Sequence, residues 1–240
     1  MYGIRAGYVG CTLLMLVGLS ATATATEVIR MNGTGAAVSI MHKLAAAFHK
    51  IHPDLRIEIN MPVAGSGGSI RGMTAGDLDV AVSARALKQK ERAAGLMETP
   101  FAKTPFVVAV ANNNRQAGNL TLAELADIYT GKTKTWPDGS RLRLILRPLK
   151  DSDNTLLRGI SPAMDQAVLQ ALKRRGMPVA MTDQESADMI EKIEGAVGTS
   201  LMSLMVAEKR NLRPLTIAGV MPGIETMKNG KYPFHKTFYL

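Results

Sequence analysis

Cysteine and aromatic residues are scarce in this chain of 240 residues. It has one cysteine, Cys11, and aromatic residues make up 5% of the sequence. A single cysteine cannot close an intramolecular disulfide, which excludes the disulfide-dense class of small extracellular proteins. The basic residues are not interleaved with aromatic ones, and this disfavours a surface that stacks nucleic-acid bases.

Several chemistry-bearing motifs are also missing. The chain has neither the GxxxxGK[ST] nor the GxGxxG pattern of nucleotide-binding loops, and Ser66 is followed by two glycines instead of a G-x-S-x-G elbow. His49 and His52 are three residues apart, but that segment offers neither cysteine nor acidic ligands, so a solvated polar face is favoured over a zinc site. We therefore expect no metal, no cofactor and no enzymatic activity.

A hydrophobic run long enough to span a bilayer is absent, and the nearest approach is at the N-terminus. Arg5 precedes an apolar run from Tyr8 to Leu19, and the small residues Ala23 and Ala25 follow it. This order is typical of a cleaved signal peptide. We predict a signal peptide over residues 1–25 and export to a bacterial periplasm, the compartment that suits an exported chain without disulfides.

Acidic residues are fewer than basic ones, 20 against 29, and the formal net charge is +9. Such a charge attracts nucleic acid, an anionic membrane surface or a small anion. The basic residues are dispersed, and an exported protein has little access to nucleic acid. A small inorganic oxyanion is the partner we expect, bound by a monomer without nucleic acid.

Apolar strand patterns alternate with amphipathic helical patterns along the whole chain, which predicts an α/β fold with mainly parallel sheets. The predicted strands cover 28–31, 55–59, 78–82, 106–111, 142–146, 197–201, 215–218 and 234–240. The predicted helices cover 36–51, 69–75, 86–94, 121–129, 155–175 with a disturbance near Ser161-Pro162, 184–193, 203–210 and 223–228.

Small polar residues precede three of these helices, and each group follows a strand. The groups are Gly33–Ala36, Gly65–Ser69 and Asp151–Thr155. A helix N-terminus offers unpaired N–H groups and about half a positive charge, which suits an oxyanion. A helix cap and a tight turn explain any one of the three groups alone. Three groups at one sheet edge favour a ligand site.

The order of these motifs resembles the phosphate-binding proteins of ABC transporters, within the type II periplasmic binding proteins. The segments that carry the resemblance are Gly33–Ala37, Gly65–Ser69, Asp77–Ser83, Leu120–Lys132 with Trp136, Arg147 with Asp151–Thr155, Gly195–Thr199 and Asn229–Pro233. The resemblance implies two α/β lobes joined by two crossing strands, with residues 26–107 and 213–240 in the first lobe and 108–212 in the second. It also implies a binding protein that serves an ABC transporter or a sensor.

The resemblance, together with the helix starts, gives a set of candidate ligand-binding residues. Ser66 and the N–H groups of Gly67 and Gly68 match a phosphate-contacting turn, and Ser152 matches a serine contact. The full set is Thr34, Gly35, Ser66, Gly67, Gly68, Ser83, Arg85, Arg147, Ser152, Asn154 and Thr155.

The sequence departs from the family pattern at several positions. Ala84 stands where the family has an aspartate that accepts the proton of monohydrogen phosphate, and Arg85 follows it as an added cation. If Arg85 faces the site, a fully ionised anion such as sulfate should also bind; the alternative is that Arg85 points to solvent. Family members usually continue beyond Phe234–Leu240 with one more helix.

Two other functions stay open from the sequence. A divergent member of the same fold that has lost its ligand and acts as an interaction protein is compatible with Ala84. A hydrolase of anionic substrates is disfavoured, because no pair of nucleophile and base and no set of metal ligands is evident.

Overall fold

The computed structural model describes residues 27–240, so the predicted signal peptide lies outside the described residues. The strands are β1 (Glu27–Gly33), β2 (Leu55–Ile59), β3 (Val80–Val82), β4 (Pro100–Ala111), β5 (Asn119–Leu120), β6 (Arg143–Leu144), β7 (Ala196–Leu201), β8 (Leu212–Pro214), β9 (Thr216–Ile217) and β10 (His235–Tyr239). The helices are α1 (Gly35–Ile51), α2 (Gly65–Ala75), α3 (Gln89–Ala93), α4 (Leu122–Thr130), α5 (Ser152–Ile160), α6 (Pro162–Lys173), α7 (Asp183–Lys192), α8 (Met202–Ala207) and α9 (Ile224–Lys228).

The strands form three sheets, and the predicted α/β class is confirmed. The first sheet has the order β2-β1-β3 and is parallel throughout. The second has the order β10-β4-β7-β6, with β8 also paired to β4. In this second sheet β6 and β7 are parallel, whereas β4 pairs antiparallel with β7, β8 and β10. A small parallel pair of β5 and β9 completes the set.

The long strand β4 changes partners along its length. Its residues 100–105 pair with β10, and its residues 106–110 pair with β7. The aromatic ring of Phe106 is buried at the point of change, and its carbonyl accepts a hydrogen bond from the buried Tyr232 hydroxyl at 2.8 Å. A single strand thus ties the C-terminal segment to the sheet that contains β6 and β7.

Local sequence signals set the ends of several helices. Thr121 and Glu124, three residues apart, form a capping box, with the Glu124 N–H donating to Thr121 Oγ1 at 3.1 Å. The predicted helical region 155–175 is two helices, because Ser161 caps α6 and Pro162 occupies its first turn. No helix within residues 27–240 has the length and apolar character that crossing a bilayer requires.

The start of α2 differs from the prediction. The sequence predicted a helix from Ser69, but α2 begins at Gly65 and includes the glycines in its first turn. Gly65 has φ = +68°, a conformation that disfavours side chains with a Cβ. Of these glycines, Gly65 adopts the left-handed conformation that begins the helix. Gly67 and Gly68 have ordinary helical conformations.

Candidate functional site

A cleft of about 930 Å³ lies between the first turns of α2 and α5. Nine of the eleven candidate residues line it: Thr34, Gly35, Ser66, Gly67, Gly68, Arg85, Arg147, Ser152 and Thr155. Ser66, Gly67, Ser152 and Thr155 thus lie together in one cleft, and their contacts with a ligand remain a prediction.

The α2 side of the cleft presents donors that the protein leaves unused. Ala64 precedes the helix and supplies no side-chain cap to its first turn. The Ser66 hydroxyl oxygen accepts a hydrogen bond from the Ala84 N–H at 2.9 Å. No group of residues 27–240 accepts a hydrogen bond from the Ser66 hydroxyl, so its proton can be donated into the cleft.

The α5 side has a serine in the same situation. Asp151 caps the helix by accepting from the Asp153 N–H at 2.8 Å. The Ser152 hydroxyl oxygen accepts from Lys236 Nζ at 2.7 Å, and within the described chain its proton has no acceptor. Thr155 donates to the Asp151 carbonyl only at the limiting distance of 3.5 Å.

Arg147 is buried, and the protein itself compensates its charge. One terminal nitrogen, Nη1, donates to the Ala180 carbonyl at 3.0 Å, and the other, Nη2, pairs with Asp151 at 2.8 Å and with Asp183 at 3.5 Å. Burial opposes the guanidinium charge, but the nearby carboxylates outweigh it and raise the pKa of Arg147 above its usual value. Few donors of Arg147 remain for an anion.

Lys236 reaches the same region from β10. It is buried, forms an ion pair with the buried Asp153, and lies 5.6 Å from the centroid of the Phe106 ring. Asp153 also accepts a hydrogen bond from Thr199 Oγ1. Burial raises the pKa of Asp153, but Lys236 and Arg147 outweigh burial and hold it below its usual value. Asp151 has the opposite shift, because burial and the charge of Asp153 raise its pKa.

An aspartate of the chain occupies the start of α1. Asp183 Oδ2 accepts from the Ala36 N–H at 2.9 Å and from Thr34 Oγ1 at 3.3 Å. The neighbouring Gln184 donates to the Gly35 carbonyl at 2.7 Å. Thr34 and Gly35 line the cleft as predicted, but their immediate donors are engaged by Asp183.

Two candidate residues do not line the cleft. Ser83 is buried, and its hydroxyl donates to the Arg85 carbonyl at 2.7 Å. Asn154 is also buried, and its Nδ2 donates to the carbonyls of Arg147 and Pro148 at 3.0 and 2.8 Å. The prediction of both as ligand contacts is corrected, because each side chain turns inward to hold a loop.

Arg85 follows neither of the two alternatives drawn from the sequence. It lines the cleft, but its two terminal nitrogens each donate to a Glu91 oxygen at 2.8 Å. The pair is a bidentate one. Arg85 therefore brings no uncompensated cation to the cleft, and the expected preference for a fully ionised anion loses its basis.

The cleft is basic overall. Six basic side chains line it, Arg71, Arg85, Lys88, Lys90, Arg147 and Lys150, against the acidic residues Glu91, Asp151 and Asp183. Within residues 27–240, histidine, cysteine, aspartate and glutamate side chains form no group of three that could hold a metal ion.

Asp183 and Lys236 were missed by the sequence reasoning. Asp183 stands after the helix cap Thr182, where an acidic residue is ordinary because it favours the helix dipole. Lys236 lies in a short C-terminal strand with no local signal that its side chain is buried. Both act through residues far away in the sequence, and no local pattern predicts that.

A family model described as the PBP superfamily domain matches residues 20–240. The chain belongs to this family. Among solved structures, it is similar to a putative phosphate ABC transporter substrate-binding protein with bound phosphate from Clostridium perfringens, with a TM-score of 0.73, 23% identity, and coverage of 89% of this chain and 85% of that one. The fold is that of the type II periplasmic binding proteins.

Curated relatives cover the chain to different extents. The phosphate-binding protein PstS 2 of Streptococcus agalactiae is 28% identical over 109 residues, which is 45% of this chain and 36% of that protein. The chain thus matches about a third of that relative's length. The phosphate-binding protein PstS of Bacillus subtilis is 25% identical over 215 residues, covering 85% of this chain and 66% of the relative.

Proposed function

We propose that this protein binds phosphate or a phosphate-like oxyanion in the cleft, as a solute-binding protein that serves an ABC transporter or a sensor. The observation that carries the proposal is the pair of serine hydroxyls, Ser66 and Ser152, on opposite sides of one basic cleft. Each hydroxyl oxygen already accepts a hydrogen bond from the protein, and within residues 27–240 neither hydroxyl has an acceptor for its proton. Each hydroxyl can therefore donate to a ligand in the cleft. A phosphate oxygen is a strong acceptor for such protons.

The first turn of α2 supplies the other part of the proposed site. Gly67 and Gly68 have no side chains that would keep an anion away from the backbone N–H groups, and no side chain caps this helix start. The helix dipole favours negative charge there. The names of the curated relatives, which describe phosphate-binding proteins, support the same ligand class.

The lobe boundaries are part of the proposal. Residues 26–107 with 213–240 are expected to form one lobe, and residues 108–212 the other. The change of partners within β4, between residues 105 and 106, supports a crossing at that point.

The cellular setting is proposed from the sequence and from the relatives. Residues 1–25 are expected to be removed at export, leaving a periplasmic protein that works as a monomer and has no catalytic activity. N-terminal sequencing of the protein from a periplasmic fraction should give Thr26 or its neighbour as the first residue. A sequence that begins at Met1 would contradict the proposed signal peptide.

The binding proposal is tested by placing a charge at the start of α2. A Cβ at Gly67 would meet only Arg71 Nη1, at 3.6 Å, so Gly67→Asp and Gly67→Asn have the same clearance at Cβ and differ in charge. At an effective dielectric constant near 20, a carboxylate about 5 Å from a bound anion costs about 3 kcal/mol, or roughly 100-fold in affinity. Calorimetric titration with phosphate and arsenate should give that loss for Gly67→Asp and a small change for Gly67→Asn. The absence of binding to the unaltered protein would overturn the proposal.

A further inference from the structure

A second cavity, of about 370 Å³, lies at the N-terminal end of β6. The cleft residue Arg147 comes after the C-terminal end of the same strand. Its walls come from the start of β6 and from the chain at the ends of α4, α6 and α7. Among the described residues, four basic ones line it, Lys134, Arg141, Arg143 and Arg174, and no acidic one does. This composition differs from that of the cleft, where carboxylates face the basic side chains.

Arg174 has no ion-pair partner among residues 27–240. Its Nε and Nη2 atoms are buried and have no hydrogen-bond partner within residues 27–240. Burial lowers the pKa of the Arg174 guanidinium, and no carboxylate of the described chain offsets that effect. Buried Arg147, in contrast, is surrounded by three aspartates.

Gly131 makes the position of Arg174 possible. A Cβ at Gly131 would overlap Arg174 Nη1, and this glycine ends α4 with φ = +81°. The side chain of Arg174 thus lies against a bare backbone turn. Two unpartnered buried donors are a costly arrangement, and because Nε and Nη2 have almost no accessible surface, a ligand in the cavity would meet the guanidinium at Nη1.

The negative C-terminal ends of nearby helices neutralise only part of the positive charge around this cavity. Three helices end at this cavity, and each C-terminus contributes about half a negative charge, or about 1.5 in all, against four cations. Arg143 does donate to the Glu194 carbonyl near the end of α7. The two buried nitrogens of Arg174 donate to no carbonyl of the described residues.

We propose that this cavity is a second anion site, which binds a small organic anion: an oxyanion group, carboxylate or phosphate ester, on an apolar body. The guanidinium of Arg174 holds the oxyanion group, and Arg141 and Lys134 add charge at the rim. The apolar body packs on Ile128, Leu144 and Met177, which line the same cavity. This site is separate from the cleft and does not depend on what the cleft binds.

The test is a titration with phenyl phosphate and benzoate, followed by amide chemical shifts in nuclear magnetic resonance spectra, with inorganic phosphate as the comparison. We expect saturable shifts at Gly131, Leu142 and Ile193 with at least one organic anion. Arg174→Gln should weaken this binding about tenfold or more, the loss expected for a charged hydrogen-bonding partner. Arg175→Gln is the matched control, because Arg175 is exposed and does not line the cavity.

Three outcomes would overturn the proposal. The first is the absence of saturable shifts at the cavity with either organic anion at millimolar concentrations. The second is an equal loss in Arg174→Gln and Arg175→Gln, which would mean attraction by net charge alone. The third is that shifts appear only at cleft amides such as Gly67. The unaltered protein alone gives the first and third outcomes, so the test does not depend on how the variants fold.

Discussion

The starts of α1 and α2 are alike in local sequence and position, but their N–H groups have different hydrogen-bonding partners. Each follows a strand of the parallel sheet and begins with small residues, Thr34-Gly35 in one and Gly65-Ser66 in the other. The N–H of Ala36 at the start of α1 donates to Asp183, which comes from α7. The start of α2 has no acidic residue in its first turn and no side-chain cap from the part of the chain that the structure describes, so its donors face the cleft.

The difference shows that a helix start becomes a ligand site only if the rest of the fold leaves it open. Asp183 is 147 residues away from Ala36 in the chain. Its carboxylate has the same chemistry as the anion expected in the cleft, and it satisfies the α1 donors internally. Of the three helix starts selected from the sequence, only that of α2 lacks an acidic side chain as cap or partner.

The largest expected effect comes from the charges behind this region. Lys236→Met should remove the cation that compensates Asp153, leaving a buried carboxylate short of a partner. Breaking a buried pair in this way costs about 3–5 kcal/mol of unfolding free energy. Urea denaturation should show that loss, whereas Lys231→Met, at an exposed position of the same segment, should change stability by less than about 0.5 kcal/mol. Equal effects of the two substitutions would mean that the Lys236 pair contributes little.

Asp183→Asn should make α1 more like α2. The amide oxygen can still accept from the Ala36 N–H, but the negative charge beside the cleft is gone. We expect anion affinity to rise about tenfold, or about 1.4 kcal/mol, with a larger gain for sulfate than for phosphate because sulfate carries no proton to offer a carboxylate. Calorimetric titration with both anions measures this change. Asp188→Asn removes a half-exposed charge from the same helix and should leave both affinities unchanged; a fall in affinity for Asp183→Asn would contradict the prediction.

Two glycines at the start of α2 should respond in opposite directions to alanine. Gly65→Ala places a Cβ on a residue with φ = +68° and should lower the unfolding free energy by about 1 kcal/mol. Gly67→Ala lies inside the helix without such a constraint and should raise it by about 0.5–1 kcal/mol. Thermal denaturation of the pair checks this. The same sign for both would mean that the left-handed turn at Gly65 does not fix the helix start.

Features of this fold and site that depend on neighbours in the sequence could be predicted, and features that depend on distant contacts could not. The capping box at Thr121, the break at Pro162 and the alternation of strands and helices depend on neighbours in sequence, so their signals are legible there. Ser66 and Ser152 line one cleft although they follow strands of two different sheets, β2 and β6, so the single sheet edge expected from the sequence is wrong. The pairing of Arg85 with Glu91, the inward turn of Asn154 and the engagement of α1 by Asp183 depend on packing, which composition and spacing do not encode.

The smallest effect concerns the pair of Arg85 and Glu91 at the rim of the cleft. Hydrogen bonds from Arg85 outweigh burial and lower the pKa of Glu91 from 4.5 to about 2. Because the folded pKa lies below the unfolded one, the pair stabilises the fold fully above about pH 4.5, and this contribution is lost as the pH falls towards about 2. With the Glu91 side chain 14% exposed, we expect about 1 kcal/mol at pH 7.

Urea denaturation of the unaltered protein and of Glu91→Gln at pH 7 and pH 3 measures this contribution. The difference between the two proteins should shrink at pH 3, because Glu91 is then protonated in the unfolded state but still largely ionised in the folded one, so part of the stabilisation is lost. Glu225→Gln is the control, since the Glu225 side chain is 85% exposed and should show no difference at either pH. A difference that stays constant between the two pH values would mean that Glu91 acts through packing, and the rim would then hold a cation, Arg85, whose charge is available to a ligand.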